Sequence, residues 1–175
     1  MNIYLKSFIF LLIFSIFHFG YEITGWKFLI PFCGINESVF QHLKMGFWAY
    51  LLLIILIEYP VLKRKNKKII SLPNFWYSRL LSLIIMPWVL LIVWYLLPAI
   101  YGKVKIELFE ALWSIGVTYL SSLFVEYIEK DTEKTEFNLT SRYIILFLVF
   151  VLAFLFIRFT YKLPWIDLFI NPESI

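Results

Sequence analysis

The chain carries only two histidines, His18 and His42, and the chemistry that its side chains could perform gathers around them. His42 sits in the densest polar run beside a long apolar stretch, Gly34-Ile35-Asn36-Glu37-Ser38-Val39-Phe40-Gln41-His42-Leu43-Lys44. His18 is followed by Tyr21 at i+3 and Glu22 at i+4, which share its face on a helix. Imidazoles with carboxylates are the donors of zinc sites with nitrogen and oxygen ligands, so one reading is a divalent-metal site of His18, Glu22, Glu37 and His42. A second is metal-free acid–base chemistry at a histidine tuned by Glu22. A third is anion or ligand binding at the N-terminus of a helix capped by Asn36, with Lys44 nearby. Purely structural roles compete with all three: Asn36 as a cap, Glu37 complementing the helix dipole, and the histidines hydrogen-bonded to neighbours.

The elements that position these groups are apolar and long. Of 175 residues, 62% are hydrophobic and only 16% charged, against about half and about a quarter in soluble domains. Such a chain cannot cover an apolar core with a polar shell, and lipid is the simplest solvent for it. The expected fold is all-α, a polytopic membrane bundle of about five helices in one transmembrane domain, with spans near 3–24, 36–60, 74–99, 107–128 and 139–161. The first span lacks a small-residue cleavage site, so it reads as a retained helix ending at Gly25. Pro87 should kink the third span. Glu58, near the end of the second, should lie close enough to the surface to be hydrated.

The net charge of +4 does not point to nucleic acid, because the basic residues sit between apolar spans. Lys63, Arg64, Lys65, Lys67 and Lys68 form the strongest topology signal. They predict an inner loop, hence an N-terminus inside, a C-terminus outside and a multi-pass protein of the cell membrane. Contact of this run with anionic lipid follows from that placement. Lys6, Arg79 and Glu129 read as charges of the inner loops and helix ends. The single cysteine, Cys33, excludes an internal disulfide and reads as a small connector residue.

Within this topology His18 and His42 lie at matching depth, each about 9 Å below the outer end of its helix. With Asn36 capping the second helix, Glu37 and His42 fall roughly 140° apart around its axis, so they cannot act as a compact pair of ligands and would line two walls of one cavity. Glu107, Glu110, Ser114, Thr118 and Ser121 recur at threes and fours on the fourth span. Glu110 is thereby a further candidate for the outer pocket, whereas Ser114, Thr118 and Ser121 with Gly116 read as a close-packing face.

The stretch Asn36-Glu37-Ser38-x-x-x-His42-Leu43-Lys44, preceded by His18, Tyr21, Glu22, Gly25 and Pro31, resembles the DUF6512 family of small prokaryotic membrane proteins of unknown function. Gln41 departs from the glutamate expected there, and Cys33-Gly34-Ile35 precedes Asn36. The tail from Leu163 to Pro172 is loosely similar to the family's proline-rich ending. The resemblance implies a multi-span membrane protein, brings no activity with it, and adds weight to His18, Glu37 and His42 as a working set. The expected function is a ligand- or ion-binding membrane protein. Its pocket would be built from His18, Tyr21, Glu22, Asn36, Glu37, Ser38, His42, Lys44 and Glu110. A membrane-embedded metal-dependent hydrolase and a structural or partner-binding subunit are the alternatives.

Overall fold

A computed structural model describes residues 1–65, 73–102 and 107–170. Lys67, Lys68, Lys103 and Lys105 therefore lie outside the described residues. The described residues form helices joined by short connectors: α1 (Ile3–Thr24), α2 (Val39–Leu52), α3 (Tyr59–Lys65), α4 (Pro73–Tyr101), α5 (Glu107–Thr132) and α6 (Leu139–Tyr161). A π-helical segment, Leu53–Glu58, joins α2 to α3 without a break. Five spans are long and apolar enough to cross a membrane: Ile3–Thr24, Val39–Arg64, Pro73–Tyr101, Leu108–Thr132 and Leu139–Tyr161. The protein is a multi-pass membrane helical bundle.

The helix ends follow from local chemistry. The Asn2 side chain accepts from the Tyr4 N–H at 2.9 Å and starts α1. Gly25 ends it at φ 65°, a conformation that costs a side chain but not glycine, and its N–H bonds the Tyr21 carbonyl. The Asn138 side chain accepts from the Ser141 N–H at 2.8 Å and starts α6. The helix α4 runs on through Pro87 and Pro98.

Five helices close around one core. The central helix α4 packs against α2, α5 and α6, while α1 packs against α2 and α5. Phe10, Phe14, Phe47, Tyr50, Leu83 and Met86 fill the middle. Gly46 lets α2 approach α4, since a Cβ there would run into Leu90 Cδ1. Gly116 has open space where a Cβ would be, so the expectation that it marks a close helix crossing does not hold.

The helix α5 is amphipathic in the sense suited to lipid. Its buried stripe is polar (Thr118, Ser121, Ser122, Glu126 and Glu129), whereas Leu120, Phe124 and Tyr127 face outward. With hydrocarbon outside, polar side chains are tolerated only where the bundle encloses them.

Two expectations fail at the end of the bundle opposite the histidines. Glu58 is 1% exposed rather than hydrated. A regular helix would set it roughly 80° round from Tyr50. The wider turns of the π segment take back part of that angle and bring Glu58 toward the inside. Lys6 and Arg79 are also buried, 2% and 3% exposed, and Glu129 lies inside α5 rather than in a connecting loop.

Candidate functional site

The pocket at the histidine end is assembled from the last turns of α1, the connector and the first turn of α2. The connector turns back on itself through a 3-10 turn at Lys27–Leu29. It then docks on α1, with the Gly34 N–H donating to the Phe17 carbonyl at 3.1 Å. Only glycine fits at position 34 without displacement. A Cβ would come within 3.0 Å of Met45 Sδ and 3.5 Å of the His18 carbonyl. The close approach carries Asn36 and Glu37 to the mouth of the α1–α2 interface.

The helix α2 begins at Val39, with Ser38 as its cap residue. Asn36 is not the cap: its side-chain oxygen accepts from the Ser38 N–H at 3.0 Å and shapes the approach to the helix. Glu37 is thus outside the helix, and the 140° argument no longer applies. Its Oε2 lies 3.5 Å from both His18 Nε2 and His42 Nε2. One ligand atom from each of His18, Glu37 and His42 can be chosen so that all lie within 4.8 Å of one another.

The imidazoles are held by their surroundings. His42 Nδ1 lies 3.0 Å from the Ser38 carbonyl, so this nitrogen carries a proton and donates, and in the neutral ring Nε2 turns its lone pair to the site. Trp94 stacks on the His42 ring at 5.9 Å and Phe14 stacks at 6.3 Å from the other helix. The His18 and His42 rings meet edge to face at 5.4 Å. Glu37 is partly open, with 44% of its side chain exposed, and the imidazole side chains are 25% and 19% exposed. Hydrogen bonding with His18 is the main cause that holds the Glu37 carboxyl below the usual carboxylate range, with the charge of both imidazoles adding to it. Beside the cluster opens a cavity of about 300 Å³, lined by His18 and Glu37 but not His42, and by Tyr21, Glu22, Gly34, Ile35, Asn36 and Met45.

Other expected members stand elsewhere. Lys44 is fully buried and donates from Nζ to the Ile30 carbonyl at 2.9 Å, tying the connector down rather than facing the cavity. Ser38 is buried, and its hydroxyl has no partner among the described residues. Glu22 lines the cavity but is outside the three-residue cluster. Glu110 lies on an exposed face of α5 and does not line this cavity. Cys33 is 2% exposed, and burial pushes its thiol up, which leaves it a packing residue.

A family model matches residues 2–174, nearly the whole chain. The chain belongs to DUF6512, a family of unknown function. No curated protein and no solved structure matches it.

The DUF6512 match takes in the histidine cluster and a second polar centre at the opposite end of the bundle. There Lys6 Nζ lies 2.8 Å from Glu58 Oε2, 2.8 Å from Glu126 Oε2 and 2.6 Å from Glu129 Oε1. Arg79 reaches Glu58 at 2.7 Å and Glu133 at 3.1 Å. Tyr50 donates its hydroxyl to Glu129 Oε2 at 2.7 Å. Sequence reasoning passed over this centre by counting its charges as loop residues. The signal was present: Thr118, Ser122, Glu126 and Glu129 recur at fours and threes along one face of this DUF6512 helix, and Glu133 continues the spacing into the turn after it.

Proposed function

We propose that this DUF6512 member is an ion-binding membrane protein whose pocket takes a divalent transition metal at His18, Glu37 and His42. The observation that carries the reading is the convergence of three ligand atoms, from two spans and the connector between them, within 4.8 Å. Two imidazoles and a carboxylate form a donor set common to zinc and to non-haem iron. The Ser38 carbonyl on His42 Nδ1 is the outer contact that fixes a ligating histidine. A second argument is electrostatic. The lone pair of His42 Nε2 faces a carboxylate oxygen at 3.5 Å, and two acceptors repel unless a proton or a metal ion lies between them.

Three protein ligands leave a fourth position, and the adjoining cavity of about 300 Å³ has room for water or a small ligand. That feature favours one second reading, a metal-dependent hydrolase with a metal-bound water in the open position and Glu22 at the cavity wall.

The same reading places the protein in the cell membrane, N-terminus inside and C-terminus outside, with the pocket opening outward. It is supported by the basic residues Lys63, Arg64, Lys65, Lys67 and Lys68 between the second and third spans, which would rest near anionic lipid.

Zinc titration of the purified protein by calorimetry tests the proposal. One equivalent should bind to the wild type and none to the His42→Ala variant. A wild type that binds no zinc, cobalt or iron(II) at micromolar concentration would overturn it.

A further inference from the structure

The second polar centre has an imbalance of charge that its own residues do not resolve. Lys6 and Arg79 supply two positive charges. Glu58, Glu126 and Glu129 are 1%, 2% and 3% exposed and would supply three negative ones. Glu133 stands apart from this count because a third of its side chain, 33%, meets solvent. Every charged or titratable group contacting the three carboxylates is accounted for among the described residues: Lys6 on α1, Tyr50 on α2, Arg79 on α4. Glu133, in the turn just after α5, shares Arg79 with them. An uncompensated negative charge enclosed by a membrane bundle is expensive enough to recruit a cation or a proton.

The contacts are shared unequally. Glu129 takes Lys6, Arg79 and the Tyr50 hydroxyl. Glu58 takes Lys6 and Arg79. Glu126 takes Lys6 alone, through Oε2, and its Oε1 is buried without a hydrogen-bond partner among the described residues. Three carboxylates surround the Lys6 ammonium, which meets Glu126 through Oε2 and not through that atom; Glu58 Oε2, 2.8 Å from Lys6 Nζ, likewise accepts no hydrogen bond among the described residues. One turn away on the same face, Ser122 Oγ is also buried without a partner.

We propose that this centre is a proton-binding site, with the proton carried on Glu126. With Glu126 as the neutral acid, two cations face two carboxylates, and the carboxyl oxygen without a partner can carry the O–H. The binding step is simple in its balance: a proton from water adds to the Glu126 carboxylate, and the reverse step returns it. Glu133 is the route by which water reaches the centre, since a third of its side chain meets solvent and it shares Arg79 with Glu58. The proposal is independent of the metal reading, because none of these residues touches the histidine cluster.

Infrared spectroscopy of the purified protein in lipid nanodiscs tests it, because a protonated carboxyl has a carbonyl stretch separate from that of a carboxylate. The wild type at neutral pH should show one buried protonated carboxyl. The band should vanish in Glu126→Gln and persist in Glu133→Gln, and it should be the same in sodium, potassium or choline buffer. Glu126→Gln copies the neutral acid, so its melting temperature should fall within about 3 °C of wild type, while Glu129→Gln should melt clearly lower. No band in the wild type at neutral pH overturns the proposal without any variant. So does a band that survives in Glu126→Gln, a band lost on adding sodium, or a Glu126→Gln protein as destabilised as Glu129→Gln.

Discussion

Glu37 Oε2 stands 3.5 Å from His42 Nε2, although the two residues are too far round a helix to meet if both belong to it. The contact exists because α2 starts at Val39, so Glu37 is free to bend back from the connector. Converting the carboxylate to an amide keeps the shape and removes the charge. Glu37→Gln is expected to weaken zinc binding by about tenfold to a hundredfold with little change in melting temperature, measured by calorimetry and circular dichroism.

Metal affinity should fall as pH drops, because a histidine must lose its proton to ligate. Glu37 does not set that limit. Its carboxyl is held below its usual value, so it stays ionised throughout. In the metal-free protein its contribution to stability is present above the ordinary carboxylate value, about 4.3, and is lost only as pH falls through the lower folded value. Zinc affinity measured against falling pH should show no separate step near the ordinary carboxylate value.

Removing one member of the buried charge network leaves its partners stranded. Arg79→Met strips Glu58 and Glu129 of a cation while keeping much of the side-chain volume. A loss of about 3 to 5 kcal/mol is expected, read from thermal or denaturant unfolding in detergent. Lys134→Met breaks only an exposed pair with Asp131, and its effect should be close to zero.

The crossing of α2 and α4 should be sensitive at Gly46. Gly46→Val puts a branched side chain where Leu90 Cδ1 lies, and a destabilisation of about 1 to 3 kcal/mol is expected. Pairing it with Leu90→Ala should restore part of the loss, because the clash is with the flexible end of that side chain. Unfolding of the two single variants and the double variant checks the coupling.

The sequence was a good guide to the five long apolar helices, because they depend on length and hydropathy; the depth of His42 was counted from Asn36, whereas α2 starts at Val39. It misled at Asn36, where a good capping residue stands two positions before the actual cap, Ser38, and instead accepts from the Ser38 N–H. It misled again at Lys6 and Arg79. In a membrane protein, charges near span ends read as loop residues, and only tertiary contacts reveal that five of them turn inward to satisfy one another. Glu58 was hidden by the π-helical segment, which has no signature in hydrophobic period.

The most direct test of the metal site is zinc K-edge X-ray absorption on the zinc-loaded protein. The account predicts nitrogen and oxygen neighbours at about 2.0 to 2.1 Å, with the outer-shell pattern of two imidazoles that falls to one in His18→Ala. A sulfur neighbour at about 2.3 Å, which would place the ion on Cys33, or a spectrum without imidazole, would contradict it.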